Sequence, residues 1–357
     1  MVKLAFIGDA HLGYRHRFKT QRLRDYAKAF DEAVKKAVRL EPDAVVFLGD
    51  LFHHPRPDPV SMRAVLKQLL KVSGQCPAIV CVGNHEIEGH LGTAYAPIFE
   101  DVDEDIHVLT SENPHIGLRL GRKDVGFHGF EYTRNPRQAQ ATLKSVSSKA
   151  DSDHNVLCLH QGIEGYLSPY ELSLANLREA AANFDLIVSG HVHKHARISE
   201  IESTPTYYCG STERISFNEA GNRNGFLFFD SDFENPRFVR LKTPKMDYVK
   251  RDFTGTVAQL NDLLKELVAD SSAPLLRVEV AADVAGDLLD VRSDFSEYEK
   301  DKTILEVNVV PTSAEHQVSF ERMNLDGDMI REYFDKTGVT NEELINTCVD
   351  LFEKYAS

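Results

Sequence analysis

Long apolar runs are missing from this chain of 357 residues. None exceeds six residues, against about 20 for a membrane-spanning helix, so no membrane partner is expected. Paired cysteines are missing as well. The five cysteines (Cys76, Cys81, Cys158, Cys209 and Cys348) show no C-x-x-C spacing, and four of them sit in or beside apolar, strand-like runs. This argues against a disulfide framework and fits core thiols in a reducing, cytoplasmic setting. Nothing at the start resembles a secretion leader, because Met1 leads almost at once into the apolar stretch from Val2 to Ile7. Internal repeats and low-complexity segments are absent too.

A basic excess is also lacking. The net charge of -14 argues at first against a nucleic-acid partner. Its distribution weakens that objection. Residues 250–357 hold 23 acids and 11 Lys/Arg, whereas residues 1–249 hold 32 acids and 30 Lys/Arg. The N-terminal part therefore does not repel an anion. It carries a basic stretch, Arg15, Arg17, Lys19, Arg22 and Arg24, that reads either as the solvated entrance to a helix or as a rim for phosphate.

What is present is a repeated unit of apolar strand followed by a polar turn. Val2–Ile7 runs into Gly8-Asp9-Ala10-His11. Ala44–Leu48 runs into Gly49-Asp50-Leu51-Phe52-His53. Ala78–Val82 runs into Gly83-Asn84-His85-Glu86, Asn155–Leu159 into His160, and Asp185–Val188 into Gly190-His191-Val192-His193. Between the first strands lie helical patterns. Leu23, Tyr26, Ala27, Phe30, Val34, Ala37 and Val38 give a buried face to a helix over Thr20–Leu40, and Val60–Val72 reads as a second helix after a proline-stiffened loop. Alternation of strand and helix predicts an α/β class with parallel strand pairs. Short strands over residues 105–130, a helix over Pro136–Ser147, and strands Thr206–Cys209 and Gly225–Phe229 complete this part.

From Asp230 to Lys250 the chain turns polar, and a domain boundary is expected there. A helix over Val257–Val268 with strands Leu275–Ala281 and Thr303–Val309 forms a small α/β module. Two helical stretches follow, Met329–Lys336 and Asn341–Tyr355, split near Gly338.

Collected together, Asp9, His11, Asp50, Asn84, His160, His191 and His193 all stand just after strands, where open α/β sheets place their chemistry. A single strand-end histidine is ordinary, whereas five ligand-bearing turns in one chain point to a site. The donors are oxygen and nitrogen with no sulfur, which favours Mn, Fe or Zn in a reactive site over a thiolate-bound structural zinc. Seven donors exceed what one ion takes and suit two ions sharing a carboxylate, about 3.5–4 Å apart, a clamp for in-line displacement at phosphorus. If the turns stay extended, D-x-H and H-x-H would each present two ligands on one side.

The series D-x-H, G-D, G-N-H, H, G-H-x-H, in this order, resembles that of the calcineurin-like metallophosphoesterases. The resemblance implies a four-layer αββα sandwich with two mixed sheets, a small α/β capping domain and short C-terminal helices. It implies that Asp9, His11, Asp50 and His193 hold one metal and Asp50, Asn84, His160 and His191 the other, with two Mn2+ the expected pair. Gly49-Asp50-Leu51-Phe52-His53, followed by Pro57, and Gly210-Ser211-Thr212 with Arg214 and Phe217, are similar to the double-strand-break repair nucleases of the meiotic recombination eleven and SbcD family. Protein phosphatases carry an aspartate-arginine-glycine run where this chain has Phe52-His53-His54-Pro55. Glu86 departs from the nuclease pattern, which more often has Asp, and reads as an orienting group.

By that resemblance the chain is a 3′-to-5′ exonuclease and single-strand endonuclease. It works on DNA as a homodimer with an SMC-like ABC ATPase. His85 and His53 are the functional histidines that are not ligands. Residues 1–240 form the nuclease domain, 241–312 the DNA-capping domain, and 313–357 a helical segment leading towards the ATPase. Arg15, Arg17, Lys19, Arg22 and Arg56 are candidate DNA contacts. A nucleotide or cyclic-nucleotide phosphodiesterase is the alternative enzyme, and a DNA-end-binding scaffold the non-enzymatic one.

Overall fold

Every residue of Leu4–Ile7 and of Ala44–Leu48 is buried, as expected of strands covered on both faces. The computed structural model describes residues 2–16, 19–88, 93–148, 150–230, 233, 236–285, 291, 294–298 and 300–312. In chain order the elements are β1 (Leu4–Ile7), α1 (Thr20–Val38), β2 (Ala44–Leu48), α2 (Pro59–Ser73), β3 (Ala78–Cys81), the short pair β4 (Ile87–Glu88) and β5 (Thr93–Ala94), then β6 (Ile106–Leu109), β7 (His115–Leu120) and β8 (Lys123–Gly129). They continue with α3 (Pro136–Ser147), β9 (His154–Leu159), α4 (Leu174–Ala181), β10 (Leu186–Ser189), β11 (Ala196–Arg197), β12 (Thr206–Tyr208), β13 (Gly225–Phe229), β14 (Arg237–Arg240), β15 (Met246–Thr256), α5 (Val257–Asp270), β16 (Leu275–Ala285) and β17 (Ile304–Pro311).

Two six-stranded sheets carry the fold, with orders β14-β13-β1-β2-β3-β6 and β11-β12-β10-β9-β8-β7. In the first, β1, β2, β3 and β6 are parallel, and β13 runs antiparallel to β1. In the second, β12, β10, β9 and β8 are parallel, and β11 and β7 run antiparallel at the edges. Alternation along each strand decides the layering. Leu4 and Phe6 of β1, with Val46 and Leu48 of β2, meet Phe127, Val156, Cys158 and Val188 between the sheets. Ala5, Ile7, Val45 and Phe47 face the other way and pack on Phe30, Val34, Val65 and Leu69 of α1 and α2. The second sheet's outer residues Leu157, Leu159 and Ile187 pack on Leu143, Val146 and Leu177 of α3 and α4. Four layers, αββα, result. Each buried Val, Leu, Ile or Phe side chain among them contributes about 1.5–3 kcal/mol.

The helices start where the sequence supplies caps. Asp58 accepts the Val60 and Ser61 N–H groups at 3.0 and 3.1 Å ahead of α2, with Pro59 in the first turn. Asn135 does the same for α3 ahead of Pro136. The buried face of α1 is Arg22, Asp25, Tyr26, Ala29, Phe30, Ala33, Val34 and Ala37. It is rotated from the expected one, leaving Leu23, Ala27 and Val38 half-buried.

The two-residue strands β4, β5 and β11 escaped the sequence reading, as did two longer ones. β14 and β15 lie in the polar stretch, where exposed and half-buried positions dominate, so their composition is that of a loop. A third sheet has the order β15-β16-β17. Compactness divides the chain into two units. One holds residues 1–250, 262–279 and 293–308, and the other begins with residues 251–261. Cys76, Cys81, Cys158 and Cys209 are free thiols. Cys348, the two C-terminal helical stretches and the whole of 313–357 lie outside the described residues. Among the described residues, no helix is long and apolar enough to cross a membrane.

Candidate metal centre

Parallel strands end on one edge, so the carboxyl ends of β1, β2 and β3 deliver Asp9, His11, Asp50, His53, Asn84 and His85 together. Those of β9 and β10 deliver His160, His191 and His193. The structure brings all seven candidate ligands to one place. The turns that carry them are not extended, which corrects the expectation for the D-x-H and H-x-H prongs. Asp9 (φ 49°), His11 (φ 48°), Asp50 (φ 49°) and His191 (φ 78°) adopt the left-handed backbone. That conformation costs about 1–3 kcal/mol per non-glycine residue and persists only where surroundings enforce it. Here the loops are cross-tied. The His11 N–H donates to the Asp50 carbonyl at 2.8 Å, and the His191 N–H to Asp9 Oδ1 at 3.0 Å. Gly83 is required by close approach, since a Cβ there would lie 2.1 Å from Asp50 Oδ1.

The side chains form two groups, Asp9 with His11 and His193, and Asp50 with His160 and His191. Within each group the donor atoms lie within 4.8 Å of one another. In the first, His11 Nε2 and His193 Nε2 are 3.0 Å apart and Asp9 Oδ1 is 3.8 Å from His193 Nε2. In the second, Asn84 Oδ1 lies 3.1 Å from His160 Nε2 and 2.9 Å from His191 Nδ1. Asp50 Oδ2 stands between the groups, 3.6 Å from His11 Nε2 and 3.4 Å from His160 Nε2.

Lone pairs converge at these points, which is the test of fit for cations. His160 Nδ1–H donates to the Leu48 carbonyl at 2.7 Å, so Nε2 faces Asn84 Oδ1 and Asp50 Oδ2, both acceptors, and calls for a proton or a cation between them. His193 Nδ1 is tied to Glu219 at 3.0 Å, which leaves its Nε2 facing His11 Nε2. Asp9 Oδ2 is buried and has no hydrogen-bond partner. Acceptors arranged against acceptors fit divalent cations, and the outer hydrogen bonds fix the imidazole tautomers as metal sites require.

The buried carboxylates attract positive charge to the same points, onto the imidazoles where no cation supplies it. Burial drives the Asp9 carboxyl up to about 6 despite His193 and His160. Burial would also raise Asp50, but His160 and then His11 hold it below the carboxylate range. Burial would lower His160, yet Asp50 and Asp9 lift it to about 10. Burial and then His160 push His191 down to about 3. The two carboxylates thus draw positive charge onto selected rings of a buried site.

Glu86 is fully enclosed and accepts the N–H groups of Gly83 at 2.7 Å, Asp50 at 3.1 Å, Phe52 at 3.3 Å, and Leu51. It orients the loops that carry Asp50 and Asn84. Burial, and then Asp50, raise it to about 7. Glu219, which anchors His193, escaped the sequence reading. Its only signal is its position two residues after Phe217, in a stretch already similar to the nuclease family.

His85 Nδ1 donates to the His53 carbonyl at 2.7 Å, and the two rings stack with centroids 4.7 Å apart. Burial, then His85 and His54, push His53 down to about 4, so it is neutral at pH 7. Tyr14 packs on it with centroids 4.2 Å apart. His54 is exposed. His128 bonds to Asn155, and His195 bonds to the Tyr208 carbonyl.

Among the candidate DNA contacts, Arg15 and Lys19 are exposed, and Arg17 lies outside the described residues. Arg56 is exposed but already clamps Glu88 at 2.8 and 2.9 Å. Arg22 must be withdrawn. Its side chain is fully buried, bonded to Asp25 at 2.9 Å, Tyr26 Oη at 3.0 Å and the Arg214 carbonyl at 2.8 Å, so no phosphate can reach it.

Residues 2–195 match the family described as calcineurin-like phosphoesterase. The chain is 29% identical over 261 residues to a DNA double-strand break repair protein Mre11 of Haloferax volcanii, covering 71% of this chain and 56% of that protein. It is 27% identical to the protein of that name from Halobacterium salinarum (78% of this chain, 70% of that protein). Against the one from Methanococcus maripaludis it is 22% identical, covering 84% of this chain and 83% of that protein. The match thus spans little more than half the length of the Haloferax relative.

Proposed function

Because the chain belongs to the calcineurin-like phosphoesterases, a family of metal-dependent hydrolases, we propose that it is a two-metal DNA nuclease of double-strand-break processing. In this reading it is a 3′-to-5′ exonuclease on duplex DNA and an endonuclease on single strands. The observation that carries the reading is the place of Asp50 Oδ2, between His11 of one donor group and His160 of the other. A carboxylate shared in this way suits a paired-metal diesterase. The relatives named as double-strand break repair proteins supply the choice of DNA.

Asp9, His11, Asp50 and His193 would hold one ion, and Asp50, Asn84, His160 and His191 the other, with Mn2+ the expected metal. When bound, the pair supplies a hydroxide near neutral pH and charge stabilisation at phosphorus. The chain's own residues do the rest. His85, fixed through Nδ1–H to the His53 carbonyl, acts through Nε2, which passes a proton to the departing oxygen when the ring is protonated on both nitrogens. His53, neutral and stacked on His85, positions that ring and contributes to strand handling. Glu86 and Glu219 hold the ligand loops in place. Residues 1–240 would carry the chemistry and residues 241–312 would cap the DNA. A second copy of the chain and an SMC-like ABC ATPase are the proposed partners.

The test is an assay with Mn2+ on duplex DNA with labelled ends, single-stranded circles, bis-p-nitrophenyl phosphate and cyclic nucleotides. Wild-type protein should shorten the duplex from its 3′ ends and nick the circles. Asn84→Ala should be inactive on all substrates, and His85→Gln slower by roughly 10²–10⁴-fold. Cleavage of the small diesters without cleavage of DNA would defeat the reading, and DNA binding with no cleavage at all would favour a scaffold.

A further inference from the structure

Besides the two donor groups, a third set of imidazoles converges at the strand ends. One nitrogen each from His11, His53 and His85 lies within 4.8 Å of the other two. The rings come from the loops after β1, β2 and β3, with centroids 4.7, 4.9 and 5.3 Å apart. His11 is buried, whereas His53 and His85 are half-buried, so solvent reaches one side of the set. His11 turns its two nitrogens to different neighbours. Nε2 lies 3.0 Å from His193 Nε2 and 3.6 Å from Asp50 Oδ2, and Nδ1 lies 3.3 Å from His53 Nδ1. Two nitrogens, each about 2.0–2.1 Å from one tetrahedral zinc, stand about 3.3–3.4 Å apart. The spacing of the two Nδ1 atoms therefore suits a shared ion as well as a shared proton. His85 commits Nδ1–H to the His53 carbonyl at 2.7 Å, which leaves its lone pair on Nε2. Tyr14 packs on one side of His53 and His85 stacks on it too, with centroids 4.2 and 4.7 Å away, and these contacts set the tilt of the ring.

The donor chemistry differs from that of the other two groups. Those mix carboxylate or amide oxygen with imidazole, which suits Mn2+, whereas three imidazoles without a carboxylate favour zinc-like ions. We propose that His11, His53 and His85 form a third cation site, which takes Zn2+ and thereby inhibits the enzyme. His11 would bridge, with Nε2 on the ion of the first donor group and Nδ1 on the third ion. Its Nδ1 proton leaves to solvent as the third ion binds. An ion on His85 Nε2 occupies the nitrogen that passes a proton to the departing oxygen, so cleavage stops while the other two ions stay in place. Binding at the three imidazoles does not depend on what is cleaved. The inhibition rests on the role given to His85 in the nuclease reading.

The experiment adds Zn2+ in steps to the protein in excess Mn2+. It reads both metals per chain by elemental analysis after rapid gel filtration, beside the rate on bis-p-nitrophenyl phosphate. In wild type the sum of the two metals should rise from two to three ions per chain. The rate should fall by at least about ten-fold as the third ion binds, because the proton donor is then blocked. His53→Gln should stop at two ions, and its rate, taken against its own zinc-free value, should not respond to the same zinc. His54→Gln, altered at an exposed neighbour outside the set, should behave as wild type. A sum that stays at two in wild type, each zinc displacing one manganese, would overturn the site, and so would a third ion retained in His53→Gln. Wild-type stoichiometry decides for or against the site even where His53→Gln does not fold. A third ion bound with no fall in rate would overturn the inhibition. The two readings fail separately. A protein that takes the third ion but cuts no DNA keeps the site and loses the nuclease. One that cuts DNA and never exceeds two ions loses only the site.

Discussion

Asp50 and Glu86 hold each other's loops. The Asp50 backbone N–H donates to Glu86 Oε2 at 3.1 Å, while Asp50 Oδ1 accepts the His85 N–H at 2.9 Å. The strand end that presents the central carboxylate is therefore fixed by the next strand end, and the reverse. Glu86→Ala would leave buried N–H groups of Gly83, Asp50, Leu51 and Phe52 without an acceptor, each at about 1–3 kcal/mol where water does not replace it. The expected result is a loss of at least about 3 kcal/mol in denaturant unfolding, together with weaker metal binding. Unchanged stability would mean that the loops are held by other contacts.

The position of Asp50 Oδ2 between His11 and His160 separates two kinds of variant. Asp50→Asn keeps the shape and removes the shared charge, so both ions should be lost. His193→Asn touches the first group only and should lose one. Elemental analysis after dialysis reads the stoichiometry directly, and diester hydrolysis should fall by at least about 10³-fold in Asp50→Asn, about 4 kcal/mol of barrier. Two ions retained in Asp50→Asn would refute the shared-carboxylate arrangement.

Arg22 and Arg15 belong to the same basic stretch but should behave oppositely. Arg22 bonds to Asp25 at 2.9 Å and lies 3.7 Å from Glu213, with all three side chains buried or nearly so. Removing one partner of a buried pair costs about 3–5 kcal/mol because the other charge is stranded. Arg22→Ala should thus lower Tm by roughly 10 °C, whereas Arg15→Ala should leave Tm alone and weaken DNA binding in a salt-dependent way. Thermal unfolding beside a binding titration distinguishes the two.

Much of the site was legible because each apolar strand is short and closes on glycine or a metal-competent side chain, as in Leu48-Gly49-Asp50. The division into two sheets was not legible from the residues. Nothing local marks β7 as the start of a second layer, and only the family resemblance supplied it. The left-handed turns at Asp9, His11 and Asp50 were hidden because no glycine flags these positions. They are imposed by contacts between loops distant in sequence. Arg22 was misread because charge usually means solvent. Yet it stands three and four residues before Asp25 and Tyr26, on the face continued by Ala29, Phe30 and Ala33, and helical spacing alone could have placed it inside. β14 and β15 were lost for the opposite reason, since exposed strands carry loop-like composition.

His128, well away from the metal ligands, should give the fold an acid-sensitive step. It is buried in the second sheet, with Nε2 2.9 Å from Asn155 Oδ1 and Nδ1 2.6 Å from His115 Nδ1. If Nε2–H donates to Asn155, Nδ1 must accept from His115, so the neutral ring satisfies both contacts, and protonation at Nδ1 requires His115 to move its own proton to Nε2. Burial accordingly holds this imidazole below its ordinary 6.5, although Asn155 opposes the shift. In the unfolded chain the ring takes a proton near 6.5, whereas the folded protein resists it. The unfolded state therefore binds more protons as the pH drops, and stability falls from pH 6.5 downwards until the folded-state value is passed. His128→Gln cannot titrate and should flatten the pH dependence of unfolding below pH 6.5 relative to wild type. Denaturant midpoints at half-unit intervals of pH provide the measurement. Parallel profiles for the two proteins would show that the acid sensitivity originates elsewhere.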